Sequence, residues 1–215
     1  MDNTFVRALV LVVPSSALIL IAGGGLDFLR RPVGAIYLAL WALWWLALAL
    51  GRPRGVRSAY NRRQRVVVGL GVVALVLLVV GPPWEYTHFD GPIPRDGPLA
   101  WLGLFLFGAG IALQTAALWT LHGLYTSRLG IQTTHRLVTH GVYRVVRHPG
   151  YLSNIMSMTG IGLALSSLVG LALAILVVPL ILWRIAREEE MLITEFGDAY
   201  RAYMQRTRRL VPLVY

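Results

Sequence analysis

LSNIMSMTGIGLALSSLVGLALAILVVPLILW, Leu152–Trp183, decides the fold. It contains no charged residue, and a membrane-spanning helix needs only about 20 mostly apolar residues. The stretch is too long for one ordinary span. Ser166-Ser167 and Gly170 interrupt it near the middle, and serine and glycine are turn-forming residues. The reading is a tight hairpin of two antiparallel helices whose outer ends return to one side of a membrane.

The rest of the chain has the same character. Of 215 residues, 56% are hydrophobic and 14% charged, against about 25% charged in soluble domains. Four further apolar segments precede the hairpin: about Ala8–Ala22 with Pro14 inside, Val33–Leu50, Val66–Val80 and Leu99–Leu121. The expected fold is an all-α polytopic membrane bundle of about six transmembrane helices, or five if 152–183 is one tilted span. Arg7 before a hydrophobic run resembles a signal peptide, but GGGLDFLRR, Gly23–Arg31, matches a small-residue cleavage site poorly. That segment is therefore kept as a helix. No repeat or Gly/Ser linker divides the chain. Residues 1–215 read as one membrane domain, with N-terminal helices over 1–98 and a catalytic core plus amphipathic tail over 99–215.

Charge sets an expected orientation. The chain has no lysine, so all 20 basic residues are arginine. Arg7 lies before the first span. Arg52, Arg54, Arg57, Arg62, Arg63 and Arg65 lie in the Gly51–Arg65 loop. Arg128, Arg136, Arg144 and Arg147 lie in Tyr125–Pro149. Arg184, Arg187, Arg201, Arg206, Arg208 and Arg209 lie in the tail. Arg30, Arg31 and Arg95 fall on the other side, where the Gly81–Pro98 loop adds Glu85, Asp90 and Asp96. The positive-inside rule then places both termini and the polar segments in the cytoplasm. The net charge of +10 reads as loops facing an anionic leaflet rather than as a nucleic-acid surface. With no cysteine, disulfides and thiolate chemistry are excluded, and without lysine so are Schiff bases.

Two polar clusters flank the hairpin. HGVYRVVRHPGYLSN, His140–Asn154, precedes it. Pro149 disfavours helix at His148 and suits a first helical position, so a helix begins near Gly150. Its positive end attracts anions, and Arg147 has the fork geometry for a carboxylate. RIAREEEMLITEFGDAYRAY, Arg184–Tyr203, follows the hairpin. Acids this close to a membrane are costly and tend to be functional. Arg184 and Glu188 are i,i+4 and share a helix face. The hairpin brings the clusters together. They offer carboxylates for an amine or hydroxyls, arginine for a carboxylate, and aromatics for a ring. These requirements match a zwitterionic nucleoside cofactor such as S-adenosylmethionine without uniquely demanding it.

LVTHGVYRVVRHPGYLS, Leu137–Ser153, resembles the L-V-T-x-G-x-Y-x-x-x-R-H-P-x-Y signature of the isoprenylcysteine carboxyl methyltransferase family. REEEMLITEFGDAYRAYMQRTRRLVP, Arg187–Pro212, resembles that family's E-E-x-x-L-x-x-x-F-G-x-x-Y-x-x-Y tail. The resemblance covers about the last hundred residues, and Ser153 departs from the glycine or alanine of many relatives. It implies a membrane methyltransferase using S-adenosylmethionine, with Tyr143, Arg147, His148, Pro149, Tyr151, Glu188 and Glu189 at the cofactor site. Glu188 or Glu189 would bind the ribose or amino group, and Arg147 or backbone near His148–Tyr151 the methionyl end. Arg147 and His148 are the catalytic candidates. A carboxylate acceptor needs no strong base, whereas a thiol or phenol would enlist His148. The namesake acceptor is prenylcysteine. Another membrane-partitioned carboxylate, thiol or phenol fits too.

Other features weigh less. His122, His135, His140 and His148 lack the i,i+3 or i,i+4 pairing of a helical metal site, so no metal or haem is expected. WALWW, Trp41–Trp45, reads as lipid-facing or core packing rather than a substrate wall. A membrane sterol-type reductase using NADPH shares an R-H-x-x-Y element. Glu188-Glu189 with Phe196-Gly197 and Tyr200 favours the methyltransferase over it. A non-catalytic membrane binding protein is the alternative from another class, and ligand binding discriminates it.

Overall fold

The computed structural model describes residues 4–51, 62–121 and 137–210. His122, His135, Arg52, Arg54, Arg57, Arg128 and Arg136 lie outside them. The described residues form an all-α bundle: α1 (Thr4–Ala22), α2 (Leu26–Arg30), α3 (Pro32–Gly51), α4 (Arg62–His88), α5 (Pro98–Leu121), α6 (Pro149–Ala164), α7 (Leu168–Phe196) and α8 (Asp198–Arg206), with a 3-10 turn at Gly141–Arg144. Among them α3, α5 and α7 are each long and apolar enough to cross a membrane.

The hairpin forms as expected. α6 ends at Ala164, and Ser166 takes a left-handed φ of 50°. Ser167 then caps α7, its hydroxyl accepting from the Gly170 N–H at 2.8 Å, which satisfies an otherwise orphaned donor. Gly162 and Gly170 let the two helices touch: a Cβ on Gly170 would lie 2.8 Å from Gly162 Cα. The 29-residue α7 is about 44 Å long at 1.5 Å per residue. That exceeds the ~30 Å hydrocarbon core. The helix therefore carries Glu188–Glu190 past the apolar run without a break.

α6 packs on α5 through small residues. A Cβ on Gly160 would lie 2.5 Å from Phe107 N and 2.7 Å from Gly103 O. Such close backbone approach is how helices associate where lipid removes the hydrophobic drive. The aromatic run of α3 is interior: Trp41 and Trp45 are buried. Trp41 meets Trp44 edge-on at 5.2 Å and donates to Ser15 Oγ at 2.9 Å. Tyr37, Trp44 and Phe107 continue that stack.

Both boundaries of α4 differ from the sequence reading: it begins at Arg62, so Arg62, Arg63 and Arg65, expected in a loop, are helical. The expected loop at Gly81–Pro98 begins late, because α4 runs through Pro82-Pro83 to His88. Pro82 is fully buried and packs 3.3 Å from the Cβ position of Gly170. Packing against a neighbouring helix holds the proline-containing turn helical. Glu85, expected in a loop, is therefore buried in α4. Its carboxylate accepts from the Ser167 hydroxyl and, at 3.0 Å, from Val169 N–H.

Candidate active site

The site lies at the open end of the hairpin, opposite the Ser166-Ser167 turn. Pro149 is the first residue of α6, so His148 and Arg147 sit just outside that helix. The apolar stripe of α7, Ile181 and Ile185, is extended at the same i,i+4 spacing by Glu189. Glu189 is consequently turned inward and is 3% exposed, while Glu188 is rotated about 100° around the helix.

Glu189 is the hub. Its Oε1 accepts from Arg147 Nε at 2.9 Å and lies 3.4 Å from His148 Nε2. Its Oε2 accepts from Arg209 Nε at 2.8 Å. Arg147, whose side chain is only 7% exposed, also donates from Nη1 to the carbonyls of Met204 at 3.1 Å and Thr207 at 2.5 Å. A buried charge persists only when paired and hydrogen-bonded, and this network meets that condition.

Backbone pairing draws the tail onto the loop. Arg147 N–H donates to Arg208 O at 2.8 Å and His148 N–H to Arg209 O at 3.1 Å. These bonds accompany a single parallel bridge, Val146 to Arg208. Gly197, with φ 54°, permits the left-handed turn that folds α8 back. Tyr203 on α8 then donates to the Tyr143 carbonyl at 2.6 Å. Burial pushes the Tyr203 phenol up to about 12, against lowering by Arg147 and Thr207. Tyr200 is raised further, again chiefly by burial and next by Glu189. Its hydroxyl is fully buried and has no hydrogen-bond partner among the described residues.

Beside this hub is a more open face. Glu188, 36% exposed at the side chain, approaches His148 Nδ1 at 4.0 Å. Arg184 Nε donates to the Tyr151 hydroxyl at 3.1 Å, and its guanidinium lies 5.8 Å from that ring's centre. Glu188 lies beside the same hydroxyl. The His148 and Tyr151 rings are 5.8 Å apart. Ser153 is accommodated, donating to Gln114 Oε1 at 2.5 Å and to Gly150 O at 2.7 Å.

Arg147, His148, Pro149, Tyr151, Glu188 and Glu189 are thus drawn together, and Tyr143 joins through its carbonyl. His140 is at the exposed start of the 3-10 turn. Sequence reasoning missed Arg209, Tyr203 and the Arg184–Tyr151 contact. The Ile181–Ile185–Glu189 spacing was the available signal for which glutamate turns inward. No group of His, Cys, Asp and Glu among the described residues is arranged to hold a metal.

The phospholipid methyltransferase family model matches residues 99–199. The chain is 30% identical over 123 residues to a probable protein-S-isoprenylcysteine O-methyltransferase of Oryza sativa subsp. indica, covering 54% of this chain and 62% of the relative. The match thus spans about three fifths of that relative's length. It is 33% identical over 145 residues to protein-S-isoprenylcysteine O-methyltransferase B of Arabidopsis thaliana, covering 66% of this chain and 73% of the relative. The fold resembles the eukaryotic intramembrane Ras methyltransferase ICMT, with a TM-score of 0.64, 22% identity, and coverage of 96% of this chain and 77% of that one. Motifs, fold and relatives agree, and the chain belongs to the isoprenylcysteine carboxyl methyltransferase family of integral membrane proteins.

Proposed function

We propose that this protein is an S-adenosylmethionine-dependent methyltransferase. It acts on a lipophilic acceptor at the membrane boundary, with an isoprenylcysteine-type carboxylate as the leading acceptor class. The observation that carries this reading is the convergence of Arg147–His148 with Glu188–Glu189 at the end of an apolar hairpin. Family membership supports it. So does the arginine distribution, which favours a cytoplasmic site.

The residues fit the donor. Two guanidiniums, Arg147 and Arg209, meet at the buried carboxylate of Glu189, and a methionyl carboxylate would be received beside them. Glu188 retains exposure and suits the amine or ribose hydroxyls. The Tyr200 hydroxyl supplies a buried donor without a partner among the described residues. The half-buried Tyr151 ring suits an adenine, with the buried His148 ring 5.8 Å behind it.

Arg147, Arg209 and Glu188 would hold the donor, which would supply an electrophilic sulfonium methyl group for a lone pair of the acceptor oxygen, the sulfur keeping the electrons of the S–C bond. A carboxylate is already ionised at neutral pH, so the chain's work is alignment and exclusion of water. For a thiol or phenol, His148 is placed to take the proton, with Glu188 and Glu189 on either side of its ring.

Calorimetry on the detergent-purified protein tests the reading. S-adenosylhomocysteine is expected to bind in the micromolar range. Glu188→Ala is expected to lose about 2 kcal/mol of that binding, the scale of a charged hydrogen bond. Binding of NADPH instead, or of neither ligand, overturns it.

A further inference from the structure

A cavity of about 460 Å³ is lined by the Gly23-Gly24 turn after α1, by Asp27, Arg30 and Arg31 at α2, and by Thr87 and His88 at the end of α4. Small-molecule sites run from about 300 to 1,000 Å³. His88 ends α4 one turn beyond Glu85, which binds Ser167 at the hairpin turn. The cavity is therefore at the turn end of the molecule. The run of α7 from Leu168 to Glu189, about 30 Å at 1.5 Å per residue, separates it from the candidate active site.

The lining carries both signs of charge. Arg30 and Arg31 close α2 and supply two guanidinium forks. Arg30 pairs with Asp27 at 2.7 Å, but both side chains are more than 70% exposed, and such a surface pair holds weakly. Arg31 is fixed by the Tyr86 ring, 5.5 Å from its guanidinium, and by Asp96 at 3.4 Å. Acceptors stand beside these donors. His88 Nδ1 lies 3.0 Å from the Trp84 carbonyl. A carbonyl only accepts, so Nδ1 carries the hydrogen and the neutral ring offers Nε2 as an acceptor. α1 ends at Ala22 with no basic residue in its last turn, so the negative end of its dipole adds to the Asp27 carboxylate.

The apolar runs Val12–Ala22 of α1 and Pro32–Ala49 of α3 stop on either side of this charged segment. Charges where two apolar helices end lie at the depth of phospholipid headgroups. Trp84, 51% exposed, stacks on His88 at 5.6 Å and 15°, and tryptophan is enriched at that level. We propose that the cavity holds the headgroup of a zwitterionic phospholipid, its phosphate on Arg30 and Arg31 and its ammonium on Asp27 and His88 Nε2. A guanidinium meets a phosphate through two parallel N–H groups, and a primary ammonium brings three N–H donors to the acceptors. A headgroup with no cation would set its phosphate against Asp27 uncompensated. The lipid is held rather than methylated, because Glu188 and Glu189 are at the opposite end. The assignment is independent of the methyltransferase reading.

Native mass spectrometry of the detergent-purified protein tests it by counting bound lipids. The probes are palmitoyl-oleoyl phosphatidylethanolamine, the phosphatidylglycerol and diacylglycerol with the same chains, and soluble phosphoethanolamine as competitor. The ethanolamine lipid is expected to bind at least ~10-fold more tightly than the diacylglycerol, and more tightly than the phosphatidylglycerol. Arg30→Gln is expected to weaken the ethanolamine lipid ~10-fold, the scale of one charge-assisted pair, with diacylglycerol binding within about twofold. Asp27→Asn is expected to erase the preference over phosphatidylglycerol. Both side chains are exposed, so unchanged unfolding midpoints are expected. His88→Phe keeps the ring on Trp84 and removes Nε2. It carries the test if either variant does not fold, and a wild-type preference over phosphatidylglycerol in it then overturns the proposal. Wild-type binding that does not distinguish the ethanolamine lipid from the diacylglycerol or the phosphatidylglycerol overturns it too. So does an affinity that survives Arg30→Gln. Displacement of the lipid by an equal concentration of soluble phosphoethanolamine assigns the cavity to a free phosphoester and overturns the lipid assignment.

Discussion

Each end of the α6–α7 hairpin buries a glutamate, and the two are held in different ways. At the turn, Glu85 reaches from α4 to the first residues of α7, and its recorded donors are one hydroxyl and one backbone N–H. At the open end, Glu189 is gripped by two guanidiniums and approached by an imidazole. The first closes a helix terminus, where a carboxylate complements the N–H groups and the dipole. The second joins four pieces of chain: the loop before α6, α7, α8 and the tail. The turn end joins consecutive helices and needs little charge. The open end must hold distant segments against each other beside a face left exposed for chemistry.

The contrast is broken most severely at the hub. Glu189→Ala leaves Arg147 and Arg209 buried or half-buried without their shared anion. Removing one partner of a buried pair costs about 3–5 kcal/mol. Arg147→Ala removes the same link and also frees the Met204 and Thr207 carbonyls. Both variants are expected to show a large drop in midpoint on thermal or denaturant unfolding in detergent, with the tail becoming protease-sensitive. Unchanged midpoints would mean that the network does not hold the tail. Arg147 substitutions thus report on the fold before they report on a cofactor, whereas Glu188, on the open face, separates the two.

Much of this arrangement was legible in the sequence. The length of Leu152–Trp183 and its Ser-Ser interruption called for a hairpin, and Pro149 marked the start of α6. The flanking clusters had to meet once the hairpin closed. What could not be read is tertiary. Pro82-Pro83 signals a helix end by local rules, and only the burial of Pro82 against Gly170 keeps α4 going. Arg209 is one arginine in a basic tail, and nothing local distinguishes it from Arg208. Its partner is fixed by the backbone bonds between residues 147–148 and 208–209. Neither glutamate of the Glu188-Glu189 pair stands out by composition. Helical phase separates them, because only Glu189 continues the Ile181–Ile185 stripe.

At the turn end the expected effect is smaller. Glu85→Ala removes the carboxylate that accepts from Ser167 and Val169, while Ser167 still caps through Gly170. The loss is expected to be about 1–2 kcal/mol, the range for an N-terminal cap. S-adenosylhomocysteine affinity should stay unchanged, because the open end is a full helix length away. A stability loss equal to that of Glu189→Ala would erase the distinction between the two ends.

The smallest effect sharpens the comparison through pH. Tyr203 belongs only to the open end, where its hydroxyl ties α8 to the Tyr143 carbonyl. Its pKa is raised from the usual 10 to about 12, chiefly by burial. A group with a raised folded pKa contributes stability below its unfolded pKa and loses it as pH climbs through the folded one. Between about pH 10 and 12 the unfolded chain releases this proton and the folded chain keeps it, so stability must fall there. Tyr203→Phe keeps the ring against Tyr200 and removes only the hydroxyl. It is expected to cost about 1 kcal/mol at neutral pH, one hydrogen bond's worth, and to flatten part of the alkaline decline. Tyr200, raised in the same direction, supplies a further part of it. An alkaline profile identical in the wild type and Tyr203→Phe would mean that the phenol is not held by α8 docking, and that the hub alone fastens the open end.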